Sequence, residues 1–413
     1  MGTFPAQDPS PIERVSTADG GSVAIKRRPM PGGVPVLFIH GLAVNADLWD
    51  LPDISGPGFR YRSLARCCHD AGFDVWLMNL RGHGKPHMLS EPPPGQTDWC
   101  VDHFILQDLP AVLNHIRAAT GQPPFVVAAS MGSMSLAGYL QGATDAGTPT
   151  APRIVANPDL ARRRQQGVAG CVFAEFPARL IWPISPFDED GKLSFATLWE
   201  HWKNREGAAN FPFELVARSN VIQALIEGLG GIPISLVKGN PHVEPWYRHL
   251  PGHLPTAAAA AELYATRIML AVAATFTGAT NHRAEVLLNG RRYVIDDMKA
   301  GVLRQMAKSV RQRAFVSYLG QPDHVYSDHY HLIEVPALVV QGGRDRIANH
   351  DVARDCFFDV IRSRDKTWLA DPEIAHGEIE AAPAACERLY PRIVDWLAAR
   401  RPAVCASARQ EAS

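Results

Sequence analysis

Apolar and polar positions fall along this chain in blocks. Short apolar runs at 34–39, 74–79, 125–129, 168–173 and 335–340 have almost no polar face, which is how strands covered on both sides of a parallel sheet read. Between them, 61–71, 98–120, 348–363 and 385–400 read as helices, the second restarted at Asp108-Leu-Pro110, and 367–369 as a short last strand. Near the start, 13–17 and 22–27 flank Asp19-Gly20-Gly21, a hairpin signal. Strands alternating with helices at these lengths predict an α/β fold with a mostly parallel central sheet and flanking helices.

The rhythm fails once. From 177 to 331 the chain is helical or irregular and rich in Trp, Phe, Pro and Ala, and the strand–helix alternation returns only afterwards. The expected organisation is therefore a core formed by 13–176 and 332–400, a large, mainly helical cap insertion at 177–331, and flexible ends at 1–12 and 401–413. The insertion carries Trp182, Phe187, Trp199, Trp202, Phe211, Phe213, Trp246 and Tyr247. These are expected to fill the cap's own core and, in part, to line an apolar cleft beneath it.

The run 125–129 leads into Ser130, with Ala128 and Gly132 two places to either side. Small residues at that spacing permit an abrupt strand-to-helix turn that lifts a serine hydroxyl to a helix N-terminus. A serine needs an adjacent base, itself oriented by an acid, to act as a nucleophile at neutral pH. Asp345 follows the run 335–340, and His376 follows 367–369, so both are expected on the same sheet edge as Ser130. The chain order Ser, Asp, His is that of the α/β-hydrolases and not of other serine-triad folds. Glu175, at the end of 168–173, is a second candidate for the acid. The turn His40-Gly41-Leu42 supplies a backbone N–H, and the Leu42 and Met131 amides are the expected oxyanion donors. His40 itself is expected to be structural, and His83 a turn residue.

These features together resemble an α/β-hydrolase over about 13–176 and 332–400. Ala71-Gly-Phe-Asp-Val-Trp-Leu-Met-Asn-Leu-Arg-Gly82, His40-Gly-Leu42 and Asp108-Leu-Pro-Ala111 are similar to the acid lipases of the gastric and lysosomal type. The resemblance implies hydrolysis of a carboxylic ester, lipophilic or bulky, through Ser130, His376 and Asp345 beneath a cap, with no cofactor. An acyltransferase, a thioester or carbon–carbon bond hydrolase, and a catalytically inactive binding protein stay open as alternatives on the same fold.

Composition narrows the field further. Forty-one basic and 42 acidic side chains leave a formal net charge of −1, which offers nothing to nucleic acid or an anionic membrane surface. Seven cysteines, an odd count without a C-x-x-C pair, fit free thiols in a reducing compartment. The N-terminus lacks a basic-then-apolar leader, so a cytoplasmic location is expected. The most apolar stretch, 257–277, is interrupted by Glu262 and Arg267 and reads as a buried helix, so no stable membrane insertion is expected. His324, His329 and His331 beside Asp323 and Asp328, and His242, His249 and His253 beside Glu244, have no zinc spacing, so no metal is expected. A small-molecule ester is the expected partner; the oligomeric state is not legible.

Overall fold

The computed structural model describes residues 10–148, 150–182, 217–232, 277–287 and 294–401, with single positions between them at 194, 214, 266, 267, 270 and 274. Eight strands form one sheet: β1 (Ile12–Ser16), β2 (Ser22–Arg28), β3 (Val34–Ile39), β4 (Phe73–Met78), β5 (Phe125–Ala129), β6 (Gly170–Ala174), β7 (Ala337–Gly342) and β8 (Lys366–Asp371). Their order in space is β1-β2-β4-β3-β5-β6-β7-β8. The β1–β2 hairpin pairs antiparallel and β2 runs antiparallel to β4, whereas every later pairing is parallel. The carboxyl ends of β3, β5, β6, β7 and β8 therefore lie side by side, and the loops that leave them share one rim.

The principal helices are α1 (Leu64–Asp70), α2 (Leu109–Thr120), α3 (Met131–Leu140), α4 (Pro158–Gln165), α5 (Asn220–Gly228), α6 (Ala300–Arg311) and α7 (Tyr390–Ala398). In β3, Leu37 and Ile39 point to one face of the sheet, where Leu109, Val112, Met134 and Ala137 of α2 and α3 cover them. Val36 and Phe38 point to the other, under Leu64 and Cys68 of α1 and Ile393 and Leu397 of α7. Both faces are buried, which explains the unbroken apolar runs. Each such side chain contributes about 1.5–3 kcal/mol by leaving water.

Several elements differ from the expected bounds: the helix expected at 348–363, for one, runs from His350 to Phe358 and ends in a π-turn. The helix expected from 61 starts at Leu64, capped by Ser63, because Phe59–Tyr61 pairs with Ile54–Gly56 in a small hairpin. The helix at 98–120 does not break at Asp108. A π-turn at Phe104–Asp108 widens it instead, ahead of Pro110, which has no N–H for the turn behind it. The last helix is split into Pro383–Arg388 and α7, with Pro391 at the second start.

Of the 177–331 stretch, α5 packs Ile222 and Ile226 against Ala300 and Leu303 of α6. Gln305 of α6 reaches the core, accepting from Val101 N–H (2.8 Å) and donating to the buried Asp102 carboxylate (2.7 Å). Phe187, Trp199, Trp202, Phe211, Phe213, Trp246 and Tyr247, most of the apolar stretch 257–277, and the group His242, Glu244, His249 and His253 lie outside the described residues. So do most of the two chain ends. Among the described residues, no helix is long and apolar enough to cross a membrane.

Candidate active site

Ser130 sits between β5 and α3 with φ 51° and ψ −120°. A non-glycine residue in that region costs on the order of 1–3 kcal/mol and persists only where the surroundings enforce it. Here they do. Ser130 N–H donates to Ala174 O on β6 (3.0 Å), and Met134 N–H donates back to Ser130 O (3.1 Å). The glycine two places on is required sterically, since a Cβ on Gly132 would lie 2.6 Å from His40 O and 2.9 Å from Ile39 O. Both are backbone atoms that cannot step aside. Gly132→Ala is expected to destabilise the fold by about 1–3 kcal/mol, as overpacking does. A denaturant midpoint within error of the parent's would show that the turn has more room than this geometry allows.

The structure brings Ser130, His376 and Asp345 together. Ser130 Oγ donates to His376 Nε2 at 2.9 Å, and His376 Nδ1 donates to Asp345 Oδ2 at 2.8 Å. The other carboxylate oxygen of Asp345 accepts from Ile347 N–H (2.8 Å) and Ala348 N–H (2.7 Å), which fixes the side chain. Burial works against a charged imidazole at His376. The Asp345 carboxylate, and Glu380 beyond it, outweigh that penalty and hold its pKa above the ordinary imidazole value. A neutral imidazole in this tautomer can take the hydroxyl proton at Nε2 and later return it.

Glu175 occupies a different role from the one weighed for it. Its Oε2 is 3.8 Å from His376 Nδ1, beyond hydrogen-bond reach. Its oxygens accept instead from Gly377 N–H (2.7 Å) and Ile379 N–H (3.0 Å), the backbone just past the histidine. Burial, with Glu380 and Asp345 nearby, pushes its pKa well above the usual carboxylate range. Burial likewise raises the Glu380 pKa.

The loop after β3 passes close over the serine: a Cβ on Gly41 would lie 3.1 Å from Ser130 Cβ. His40 is buried and structural, as expected. Its Nδ1 donates to Gly41 O (2.8 Å) and its Nε2 accepts from Leu80 N–H (3.0 Å), leaving no ring nitrogen for chemistry. Burial and the neighbouring His83 ring push its pKa well down. Leu42 and Met131, the expected oxyanion donors, border the same cavity as Ser130 and His376. Met131 is the first residue of its helix and has no carbonyl one turn behind it.

That cavity has a volume of about 350 Å³. Met131, Met134, Leu180, Leu287, Val294 and Met306 are typical of its walls, with Glu175, His282 and Glu380 as polar points. Among the described residues its walls are aliphatic and methionine side chains; of the aromatics expected from the cap, all but Trp182 lie outside the described residues. Trp182 belongs to the core and donates to Arg346 O at 2.7 Å. A wider cleft of about 820 Å³, bordered by Arg344, Arg346 and His350, lies on the far side of residues 277–280.

The remaining candidates have structural partners. Arg81 and Asp108, from the lipase-like stretches, form a buried ion pair (Nη2 to Oδ1, 2.9 Å). His324 and His329 stack at 4.8 Å, and Asp323 accepts from Lys308. His83 donates to Arg81 O within its turn. Among the described residues, the grouping of His, Cys and acidic ligand atoms close enough for a metal is Glu175, Asp345 and His376. His376 there is already engaged at both ring nitrogens.

A family model agrees with this architecture. Residues 34–146 match the family model for the alpha/beta hydrolase fold. The chain is 33% identical over 147 residues to Lipase lipl-5 of Caenorhabditis elegans, covering 32% of this chain and 34% of that one. It is 36% identical over 121 residues to human Lipase member K, covering 26% and 28%. A solved monoacylglycerol lipase from Paleococcus ferrophilus superposes with a TM-score of 0.45 at 16% identity, covering 91% of this chain and 99% of that one. The chain spans about a third of the length of the curated relatives it matches. In fold this is an α/β-hydrolase, and over the third of its length that aligns it is lipase-like.

Proposed function

We propose that the chain hydrolyses carboxylic esters with a lipophilic acyl or alcohol part, through Ser130, His376 and Asp345. The observation that carries this reading is the unbroken relay from Ser130 Oγ to His376 (2.9 Å) to Asp345 (2.8 Å), opening on an aliphatic cavity. Ser130 Oγ attacks the ester carbonyl as its proton passes to His376 Nε2. Asp345 holds the imidazole in the tautomer that can accept it. The Leu42 and Met131 N–H groups hold the oxyanion of the tetrahedral intermediate. His376 then protonates the departing alcohol, and water, deprotonated by the same nitrogen, releases the acid.

The stretch 177–331 works as a cap in this reading. Leu180, Leu287, Val294 and Met306, all from it, wall the cavity over Ser130. A series of p-nitrophenyl esters tests the proposal. Each buried methylene is worth about 0.8 kcal/mol, so hexanoate is expected to exceed acetate by about 10²-fold in kcat/KM. At the roughly 30 Å³ that a water molecule occupies in the liquid, the cavity holds about ten such groups, so the rise is expected to level off near ten carbons. A steady decline from acetate upward would remove the lipophilic-substrate reading.

A further inference from the structure

The loop that carries His376 is held by more than the acid beside it. Two residues on, Glu378 is fully buried, and its carboxylate receives four hydrogen bonds, three from the distant Thr280 and Asn281 and one from Ala375 in its own loop. Oε1 accepts from Thr280 N–H (2.7 Å) and from Asn281 N–H. Oε2 accepts from the Asn281 side-chain amide (2.9 Å) and from Ala375 N–H (2.9 Å), immediately before the histidine. A carboxylate offers about four acceptor sites, and every one is used.

The segment so tied is a wall of the cavity. Thr277, Ala279 and His282 face the space beside Ser130, while Gly278 and Thr280 border the outer cleft. It is seated tightly on the loop of the acid as well. A Cβ on Gly278 would come within 2.2 Å of Arg344 O, and Thr277 O accepts from both Arg346 N–H (3.3 Å) and His376 N–H (3.4 Å). The wall therefore touches the two loops that hold Asp345 and His376, and Glu378 is its strongest link to the second.

Resting on the function proposed above, we propose that Glu378 is a positioning residue: through it the cavity wall at 277–282 holds the His376 loop in register with Ser130. The reaction needs the imidazole within hydrogen-bond reach of the serine, and a misplacement of about 1 Å costs on the order of 10² in rate. Glu378 touches neither substrate nor the reacting atoms, so its loss falls on kcat and leaves the apolar contacts that govern KM.

The test uses the full chain and counts competent sites by the stoichiometric p-nitrophenol release from a p-nitrophenyl alkylphosphonate. Glu378→Gln turns an acceptor oxygen into an N–H donor facing other donors, and is expected to lower kcat per titrated serine about 10²-fold with KM changed less than about threefold. Asn281→Asp, at a half-buried position that spares the core, sets an oxygen against Glu378 Oε2 and is expected to cost about tenfold in kcat. In Glu378→Gln/Asn281→Asp the new amide can donate to the new carboxylate, so the double variant is expected to turn over faster than Glu378→Gln alone. A kcat per titrated serine within about threefold of the parent in both single variants overturns the proposal. Ser130→Ala run alongside separates the two levels. If it stays active, the assignment of the serine fails; if it is inactive while both single variants are unimpaired, only the role of Glu378 fails.

Discussion

Ser130→Ala is expected to abolish ester turnover, lowering kcat by about 10⁴–10⁶-fold, while the fold survives. The hydroxyl is one of few atoms at this turn that stability does not need. The backbone bonds of Ser130 run to Ala174 and Met134 and are untouched by the change. Alanine is also no worse than serine at a φ of 51°, so the strained turn is not made costlier. What the substitution removes is the hydrogen bond from Oγ to His376 Nε2. Because the relay works as a unit, His376→Ala should lose nearly as much, and the double variant little more than either. Phosphonate labelling should disappear with Ser130 and be located on it by mass spectrometry in the parent. Substantial turnover by a folded Ser130→Ala variant would put the nucleophile elsewhere.

The parts of this site that could be read from the sequence are those that local physics writes into a few consecutive residues. Burial on both faces makes β3, β5 and β7 continuous apolar runs, and the closeness of His40 O makes Gly132 a glycine. Once the strands are known, Ser130, Asp345 and His376 fall at their carboxyl ends without further information. What stayed illegible depends on partners far away in the chain. Nothing in His376-Gly-Glu378 shows that its carboxylate will meet Thr280 and Asn281. Likewise Val44, in the loop that carries Leu42, bridges to Ile295, and Asn45 N–H donates to Val294 O (2.9 Å), with no periodicity to announce it. The two acids looked alike in sequence because each follows a strand. Only the geometry separates the one that faces His376 Nδ1 from the one that binds the backbone past it.

That separation gives the second large effect. Asp345→Asn is expected to lower kcat about 10⁴-fold, and the reason lies in the orientation of the amide. Asp345 Oδ1 accepts from two backbone N–H groups, Ile347 and Ala348. An asparagine there must keep its oxygen toward them, which leaves its NH₂ facing His376 Nδ1. The ring then accepts at Nδ1 and carries its proton on Nε2, the nitrogen that has to take the serine proton. Rotating the amide offers no escape, because it would set the NH₂ against two other donors. The pH profile should move as well. In the parent, kcat/KM falls on the acid side as His376 is protonated, with a midpoint above the ordinary imidazole value because Asp345 stabilises the charged ring. Removing that carboxylate lets burial dominate, so the residual activity of Asp345→Asn should persist to lower pH. Glu175→Gln should behave quite differently. A glutamine keeps nearly the shape of the side chain, and Glu175 does not reach His376 Nδ1 within hydrogen-bond distance. Its cost should appear as about 1–3 kcal/mol of stability, from the backbone donors at Gly377 and Ile379 that one amide cannot both satisfy. Turnover per folded molecule should stay within about tenfold of the parent. If Glu175→Gln were instead the variant that lost several orders of magnitude, and Asp345→Asn the mild one, the acid of the relay would belong to β6 and the assignment of Asp345 would be wrong.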